Sequence, residues 1–497
     1  MSAPASRPAA LGWLRRWVLA PGAIVCLVVA ARAGRATPRP LAQPVELPAL
    51  DPADTAGMGP LRVSARNPRY FARPDGRIVY LTGSHTWSNL QDNGASDPPP
   101  AFDYSAYLRF LRAHDHNFFR LWAWEQLAWT AEIEGQYGFD PVPYLRTGPG
   151  LARDGKPKVD LTRFNPAYFA RLRERVRRAR EAGIYVSVML FDGWSVGTKG
   201  TLRLDNPWKG HPLNAANNIN GIDGDLNHDG FGYEIETLAD TGITRLQEAY
   251  VREVVDAVND CDNVLYEIAN EGEPESRAWQ YHMIRYVREY ESTLGHVHPI
   301  GMTATWPGGS NAELFASPAD WIAPTGPLEQ RPVASGGKVV LSDTDHLCGT
   351  CGSIAWVWQS FTRGENPALM DGYDGAAVGV GAADYDHADP KWEPIRRNLG
   401  YARRLARQLP LDRATPRPDL ASTGYCLAAA EGEAPTYVVF VPRAEEVTVD
   451  LSDAPVTLAV SWLDTATGAM HDAGTVQGGA TRAFAPPPGS AQVLYLH

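Results

Sequence analysis

The sequence predicts an α/β protein that consists of a (β/α)₈ TIM barrel followed by a small all-β sandwich domain. Continuous apolar strands alternate with amphipathic helices between residues 79 and 370, which is typical of a parallel sheet buried on both faces. After residue 411 the sequence changes to short β-rich pieces separated by Gly, Pro and Asp, which is typical of a sandwich. The predicted divisions are a signal peptide at 1–33, a Pro-rich linker at 34–60, the barrel at 61–411 and the sandwich at 412–497.

Each predicted barrel strand is a short apolar run, and charged helices that end at glycine or polar residues separate several of them. The strands are predicted at 79–82, 118–122, 184–191, 264–269, 299–303, 321–323, 339–341 and 368–370. The helices are predicted at 104–114, 168–182, 244–259 and 278–293. A doubly wound open sheet is the alternative, but no glycine fingerprint for a nucleotide follows the first strand.

The amino terminus has the pattern of a secretory signal peptide. Arg7, Arg15 and Arg16 precede an apolar stretch at 17–31, and Ala31-Arg32-Ala33 has the small-x-small form of a cleavage site. We therefore expect a secreted or periplasmic protein. An uncleaved membrane anchor is the alternative, although the apolar run is shorter than the roughly 20 residues that span a bilayer.

The charge balance limits the class of partner. The chain has 46 Lys and Arg against 57 Asp and Glu, which gives a formal net charge of −11. A nucleic-acid partner needs a basic surface and is therefore not expected. No second apolar stretch of spanning length follows the signal segment, so no membrane partner beyond that segment is expected either.

Four cysteines remain after the predicted signal peptide, and export would place them in an oxidising compartment. The close spacing of Cys348 and Cys351 predicts a local disulfide. A redox pair or half of a metal site are the alternatives, but no matching second pair of cysteines is present.

Polar side chains cluster at the carboxyl ends of the predicted strands, where barrel enzymes carry their chemistry. They are His85, Trp87, Arg120, Trp122, Glu125, Asp192, Trp194, Asn270, Glu271, Asp343, Asp345, His346 and Asp371. Carboxylates at the fourth and seventh strands can face one another across the barrel mouth. Glu267, earlier on the fourth strand, is expected to be a buried structural carboxylate.

The fourth-strand sequence resembles the acid/base motif of clan A glycoside hydrolases, the retaining barrel glycosidases. The string is VLYEIANEG, residues 264–272. The resemblance implies that Glu271 is the general acid/base and that Asn270 bonds the sugar 2-hydroxyl. It also implies a nucleophile at the seventh strand, which reads VVLSDTDH. The family usually has Glu there; Asp343 aligns best, and Asp345 on the same strand face is the second candidate.

The same resemblance assigns further side chains to the substrate. Arg120 matches the arginine that lies beneath the nucleophile and keeps it ionised. The remaining candidate substrate-binding residues at the strand ends are His85, Trp87, Trp122, Asp192, Trp194 and His346. The chain is also similar to the apiosidase-like, DUF4038-type branch of these barrels in the stretches NPAYFARLRERVRRAREAGIYVSVMLFDGW, VLSDTDH and WVWQSFTRGENPALMD. Its tail, residues 422–496, is similar to the collagen-binding-type sandwich that members of this branch often carry.

These resemblances imply an exported glycosidase that cleaves O-glycosidic bonds of a poly- or oligosaccharide with two carboxylates. No cofactor is required for that chemistry. A non-catalytic carbohydrate- or matrix-binding barrel is one alternative, because Asp replaces the usual Glu at the seventh strand. A metal-dependent hydrolase is another, because Asp343, Asp345, His346 and Cys348 are all potential zinc ligands.

The long connection before the fourth strand supplies the last candidates. His211, Asn217, Asn218 and Asn220 could bind sugar hydroxyls, although asparagine is also a common turn residue. Immediately afterwards, four side chains have the spacing of a calcium loop; they are Asp225, Asn227, Asp229 and Glu236. A structural Ca²⁺ is expected there, with a solvated acidic turn as the alternative.

Overall fold

The computed structural model describes residues 57–131, 135–199, 206–328, 336–373, 389–432, 434–489 and 491–497. The predicted signal peptide and most of the predicted linker lie outside these ranges. The central sheet has eight strands: β1 Gly83–His85, β2 Phe118–Leu121, β3 Tyr185–Asp192, β4 Val264–Asn270, β5 Ile300–Thr303, β6 Trp321–Ala323, β7 Val339–Asp343 and β8 Asn366–Met370.

The eight strands form a nearly closed parallel barrel. Their order across the sheet is β1-β8-β7-β6-β5-β4-β3-β2, and each neighbouring pair is parallel. The two ends of the sheet meet beside β1 and β2, where Thr82 and Asn117 exchange two hydrogen bonds of 3.0 Å. The predicted fold class is confirmed, and the carboxyl ends of all eight strands open at one face.

Helices pack around the sheet, and local capping sets where several of them begin. They are α1 Tyr104–Ala113, α2 Pro166–Glu181, α3 Thr241–Val258, α4 Arg277–Glu291, α5 Asn311–Ala316, α6 Asp345–Cys348, α7 Ile354–Thr362 and α8 Trp392–Ala406. Before α3, the Asp240 carboxylate accepts hydrogen bonds from two backbone N–H groups of the first turn. Such a cap contributes about 1 kcal/mol.

The first strand lies further along the chain than predicted. The apolar run begins with Ile78–Val79, which pairs antiparallel with Phe71–Ala72 in a small separate sheet. The barrel strand follows at Gly83–His85. A side-chain carbon at Gly83 would lie 2.1 Å from the carbonyl oxygen of Phe118, so a glycine is needed for β1 to approach β2. Hydrophobicity alone therefore misplaced this strand.

Two antiparallel insertions follow the first two barrel strands, and the sequence pattern did not predict them. One is a three-stranded sheet of Asp92–Gly94, Ala128–Ala131 and Gly135–Asp140. The other is the hairpin Tyr144–Leu151 with Pro157–Phe164. Asp92–Gly94 lies in the connection between β1 and β2, and the other four strands lengthen the connection between β2 and β3.

The carboxyl-terminal part is all-β, as predicted, and forms two antiparallel sheets. The strands are β9 Thr415–Pro416, β10 Cys426–Ala429, β11 Thr436–Val441, β12 Val447–Asp450, β13 Thr457–Asp464, β14 Met470–Gln477, β15 Thr481–Phe484 and β16 Gln492–Leu496. β12 pairs with β15, and the other six form one sheet. Val439, Val449 and Trp462 belong to one buried cluster in these sheets.

The predicted local disulfide is present between Cys348 and Cys351, directly after β7. Cys261 and Cys426 are buried free thiols. Within the described ranges, no helix combines the length and the apolar character that crossing a membrane requires.

The contact between β5 and β6 gives a test of the barrel packing. A side-chain carbon at Gly301 would lie 1.8 Å from the fully buried ring of Trp321, its partner in the ladder. We expect Gly301→Ala to lower the free energy of unfolding by about 1–3 kcal/mol or more. Gly295→Ala, at an exposed turn with open space, should change it by less than about 0.5 kcal/mol. Urea unfolding of both variants measures the difference, and equal stabilities would contradict this packing.

Candidate active site

One buried arginine lies at the centre of the polar cluster at the carboxyl ends of the strands. Arg120, on β2, donates from Nε and Nη2 to the carboxylate of Glu267. Its Nη1 donates to Asp343 at 3.2 Å and to Asp345 at 2.7 Å, and Nη2 also donates to Asn270 at 2.7 Å. All five N–H groups of the guanidinium therefore have partners. Burial lowers the pKa of Arg120, but the negative charges of Glu267 and Asp343 have the larger effect and raise it above its ordinary value.

Asp343, the last residue of β7, is held on both carboxylate oxygens. Oδ1 accepts hydrogen bonds from His85 Nε2 and from the backbone N–H of Asp345, each at 3.0 Å. Oδ2 accepts from Arg120. Burial alone would raise the pKa of Asp343, but His85 and Arg120 hold it well below its ordinary value of 3.8. Asp343 is therefore ionised and immobilised.

Asp345 is the first residue of α6 and has a different environment. Its Oδ2 accepts from Arg120, whereas no hydrogen bond to Oδ1 is present among the described residues. Burial, followed by the negative charge of Glu271, raises the pKa of Asp345 above 3.8. Arg120 and the neighbouring His346 oppose that rise. Asp345 and Glu271 are therefore close enough to repel one another.

Glu271 directly follows β4 and has a strained backbone, with a φ of 46°. A non-glycine residue in this left-handed region costs of order 1–3 kcal/mol. Three contacts hold the conformation. The backbone N–H donates to Thr303 Oγ1 at 3.2 Å, the carbonyl accepts from Lys199 Nζ at 2.9 Å, and Gly193 leaves room for that carbonyl. A side-chain carbon at Gly193 would lie 2.4 Å from the same oxygen.

The Glu271 carboxylate contacts an indole and an imidazole. Oε2 accepts a hydrogen bond from Trp194 Nε1, and Oε1 lies 3.7 Å from His346 Nδ1, an ion-pair distance that is too long for a hydrogen bond. Burial lowers the pKa of His346, but the carboxylates of Glu271 and Asp345 outweigh it and raise the pKa above 6.5. His346 Nδ1 therefore lies beside the Glu271 carboxylate.

Asn270 connects the arginine cluster to a second buried carboxylate. Its Oδ1 accepts from Arg120, and its Nδ2 donates to Asp192 Oδ1 at 3.2 Å. Burial is the main cause that raises the pKa of Asp192, and the hydrogen bond from Asn270 opposes it. Glu125 extends the network, because its Oε1 accepts from the Asp192 backbone N–H at 2.8 Å.

The predicted aromatic residues occupy different depths. Trp122 is almost fully buried, stacks on His85 at 5.8 Å between ring centroids, and lies 5.1 Å from the Arg120 guanidinium. Trp87 packs edge-on against Trp122. Trp194 is only partly buried. Trp122 thus packs against His85 and Arg120 in the interior, whereas Trp194 lies beside Glu271.

Sequence reasoning missed a second cation at this face. Lys199 is buried and donates to the carbonyl oxygens of Glu271 and Trp306, each at 2.9 Å, and to the carboxylate of Glu273. The Glu273 backbone N–H donates to Glu236 at 2.8 Å, and burial raises the pKa of Glu236 to about 7. Lys199 is in an irregular loop after β3, where no periodicity or motif distinguishes it from an exposed lysine.

Two candidates from the long connection are engaged within that connection. Asn218 donates to three backbone carbonyls and accepts from Ile222 N–H, so its amide stabilises the loop. His211 accepts from Leu213 N–H on Nδ1 and faces Glu125 with Nε2 at 3.3 Å. Asn217 and Asn220 also bind loop backbone.

The structure does not bring the four predicted calcium ligands together. Asp225 accepts from the backbone N–H groups of Asp229 and Gly230, and Asn227 donates to Asp229, so these polar side chains stabilise their own turn. Glu236 is buried against Glu273 instead. Across the described ranges, no group of three or more His, Cys, Asp or Glu is placed to hold a metal.

The alternative metal site after β7 is also not formed. The Cys348 sulfur is part of the disulfide, so it offers no thiolate to a metal. Asp343 is held by His85 and Arg120. Asp371, the strand-end carboxylate of β8, pairs with Arg396 of α8 and contributes to packing.

Comparisons with known proteins agree with the barrel. A family model described as a domain of unknown function, DUF6298, matches residues 131–307. No curated protein matches the chain. A solved glycoside hydrolase is 14% identical with a TM-score of 0.59, over 89% of this chain and 97% of that one. A glycoside hydrolase family 5 structure from Bacteroides vulgatus ATCC 8482 is 13% identical with a TM-score of 0.57, over 88% and 93% of the two chains. At 13–14% sequence identity, these two similarities are evidence for a shared fold only.

The arginine cluster predicts a large and pH-dependent loss of stability in Arg120→Met. Removing the cation leaves Glu267, Asp343 and Asp345 buried without it, which should cost about 3–5 kcal/mol of unfolding free energy at pH 7. Arg173→Met is the control, because the ion pair of Arg173 with Asp260 is largely exposed and should contribute less than about 1 kcal/mol.

The sign of the pH dependence follows from the lowered pKa of Asp343. In the wild type this carboxylate contributes stability that is fully present above its ordinary value of 3.8 and is lost as the pH falls through the lowered pKa. Without Arg120, the pKa values of the three buried carboxylates rise in the folded state. At low pH these carboxyl groups are therefore protonated, and the cost of burying their charges is removed. Urea unfolding should show a smaller difference between wild type and Arg120→Met at pH 4 than at pH 7. A difference independent of pH would contradict this account of the cluster.

Proposed function

We propose that the protein is an exported retaining glycoside hydrolase in which Glu271 is the general acid/base and Asp345 the nucleophile. The observation that carries the proposal is that Glu271 Oε1 lies 3.7 Å from Nδ1 of His346, the residue that follows Asp345 in the chain. Glu271 directly follows β4, and Asp345 lies two residues after the end of β7. Retention with a covalent intermediate requires the two carboxyl groups to lie about 5–5.5 Å apart.

The environments of the two β7 aspartates support Asp345 over Asp343 as the nucleophile. Asp343 is fully buried and accepts three hydrogen bonds, so that neither of its oxygens is without a protein donor. Asp345 is anchored by Arg120 through Oδ2, while Oδ1 is uncommitted in the described part of the chain. Asp343 then acts as a positioning residue, because it accepts from the Asp345 backbone N–H.

The proposed reaction has two steps. Asp345 Oδ1 attacks the anomeric carbon while Glu271 gives its proton to the leaving oxygen, and the bond between that carbon and oxygen breaks. Glu271 then takes a proton from water, which attacks the anomeric carbon and releases Asp345. Arg120 stabilises the aspartate in its ionised form.

Asn270 is positioned to bind the sugar 2-hydroxyl in this reaction. Arg120 donates a hydrogen bond to the amide oxygen of Asn270 and thereby fixes the orientation of the side-chain amide. An amide nitrogen has two N–H groups, and Asp192 accepts one of them. The other N–H is the proposed donor to substrate. His85, Trp87, Trp122 and His346 form the wall of this subsite.

The finer features of the proposal come from the sequence. The signal pattern at 1–33 supports export, and the DUF4038-type stretches support membership of the apiosidase-like branch of the barrel glycosidases. The carboxyl-terminal sheets are proposed to be the collagen-binding-type sandwich of that branch. The substrate is a poly- or oligosaccharide, and catalysis requires no cofactor.

Substitution of the two acids tests the reaction. On a panel of aryl pyranosides and furanosides of both anomers, Glu271→Gln should lower kcat/KM by about 10²–10⁴-fold on poor leaving groups. Asp345→Asn should lower it by about 10⁴-fold or more on all substrates. Glu275→Gln, an exposed carboxylate in the same loop, is the matched control and should retain wild-type rates.

Product stereochemistry separates the remaining outcomes. Azide should rescue Glu271→Gln and give a glycosyl azide of retained configuration, because azide needs no general base. If Asp343→Asn abolishes turnover while Asp345→Asn does not, the assignment of the nucleophile is wrong. If no glycoside is hydrolysed but sugars bind equally to wild type and Glu271→Gln, the barrel is a binding protein.

A further inference from the structure

We propose that Trp306 is a stacking platform for the sugar on the leaving-group side of the substrate, an inference that rests on the proposed glycosidase function. Trp306 is in the loop that follows β5, at the carboxyl face of the barrel. It is 42% exposed, and no other tryptophan of the described residues is among the exposed large apolar side chains. The expected ligand is the apolar face of a sugar ring in an oligosaccharide.

Single exposed apolar side chains are common on protein surfaces, but the backbone of Trp306 is fixed beside the candidate active site. The Trp306 backbone N–H donates to the Gly272 carbonyl at 3.0 Å. Its own carbonyl accepts from Lys199 Nζ at 2.9 Å. The loop is therefore tied at this residue to the segment that immediately follows Glu271.

Lys199 connects the platform to the acid/base. The buried ammonium lies 2.9 Å from the carbonyl oxygens of both Glu271 and Trp306, so the two backbones are direct neighbours. The Glu273 carboxylate holds the same ammonium in place. A platform that orders a ligand needs such a fixed backbone, since mobility would cost binding energy.

Because Trp306 is a neighbour of Glu271, the role of Glu271 indicates which part of the substrate Trp306 contacts. In the proposed reaction Glu271 protonates the leaving oxygen, so the leaving group lies on its side of the scissile bond. Asp345, which attacks the anomeric carbon in that reaction, contacts Arg120 instead. Because the Trp306 backbone adjoins the Glu271 segment, the proposal assigns its exposed ring to the leaving sugar, where stacking would favour oligosaccharides over small aglycones.

The experiment compares two substrates of the sugar identified by the aryl-glycoside panel: its glycosyl fluoride, with a minimal leaving group, and its disaccharide. Trp306→Ala should lower kcat/KM for the disaccharide about tenfold more than for the fluoride. Trp306→Phe should restore most of that difference. Met470→Ala, an exposed apolar residue of the carboxyl-terminal sheet, should change neither value. Equal losses on the two substrates would overturn the proposal, and if Trp306→Ala fails to fold, Trp306→Phe and Trp306→Leu provide the same comparison.

Binding separates this inference from the proposed function. An array of defined oligosaccharides is probed with Glu271→Gln and with Glu271→Gln carrying Trp306→Ala. Binding that the second substitution weakens about tenfold supports the platform even if no glycoside is hydrolysed. Binding that is equal in both proteins, or absent from both, overturns it.

Discussion

The guanidinium of Arg120 is the constraint on which the carboxyl face of the barrel depends. It is fully buried, and its five N–H groups bind Glu267, Asp343, Asp345 and Asn270. Three buried carboxylates without this cation would repel one another in a medium that screens charge poorly. The ends of β2, β4 and β7 are consequently joined through one side chain, which fixes where any chemistry at this face can occur.

A second buried cation organises the other half of the site by a different means. Lys199 contacts the backbone carbonyl of Glu271 and leaves the carboxylate to Trp194 and His346. It therefore supports the left-handed backbone without forming an ion pair with the acid. Arg120 donates directly to Asp343 and Asp345, whereas the Glu271 carboxylate contacts Trp194 and His346. This difference suits the two roles in the proposed mechanism, an ionised nucleophile and a proton donor.

Residues that act from regular strands were predictable from the sequence, and residues that act from loops were not. Arg120, Asn270 and Glu271 lie in or directly after apolar strands. Barrel enzymes carry their chemistry at the carboxyl ends of the strands, so the sequence predicted that these residues lie close together. Lys199 and Trp306 are in irregular connections, and their meeting depends on tertiary contacts that no local pattern encodes. The same limit applies to the polar residues of the long connection. Asn218 and Asp225 form hydrogen bonds with backbone groups of their own loops, and the amino-acid composition of such a loop resembles that of a ligand-binding loop.

The aspartates of β7 show how the backbone can compensate for a shorter side chain. Glu at this position would reach the barrel mouth with one more methylene than Asp343 provides. Asp343 ends β7 and is fully engaged, but two residues later Asp345 begins α6. In the proposed mechanism this helix start carries the carboxylate toward Glu271, so chain position replaces side-chain length. Asp343 then retains a function as the acceptor that fixes the Asp345 backbone N–H.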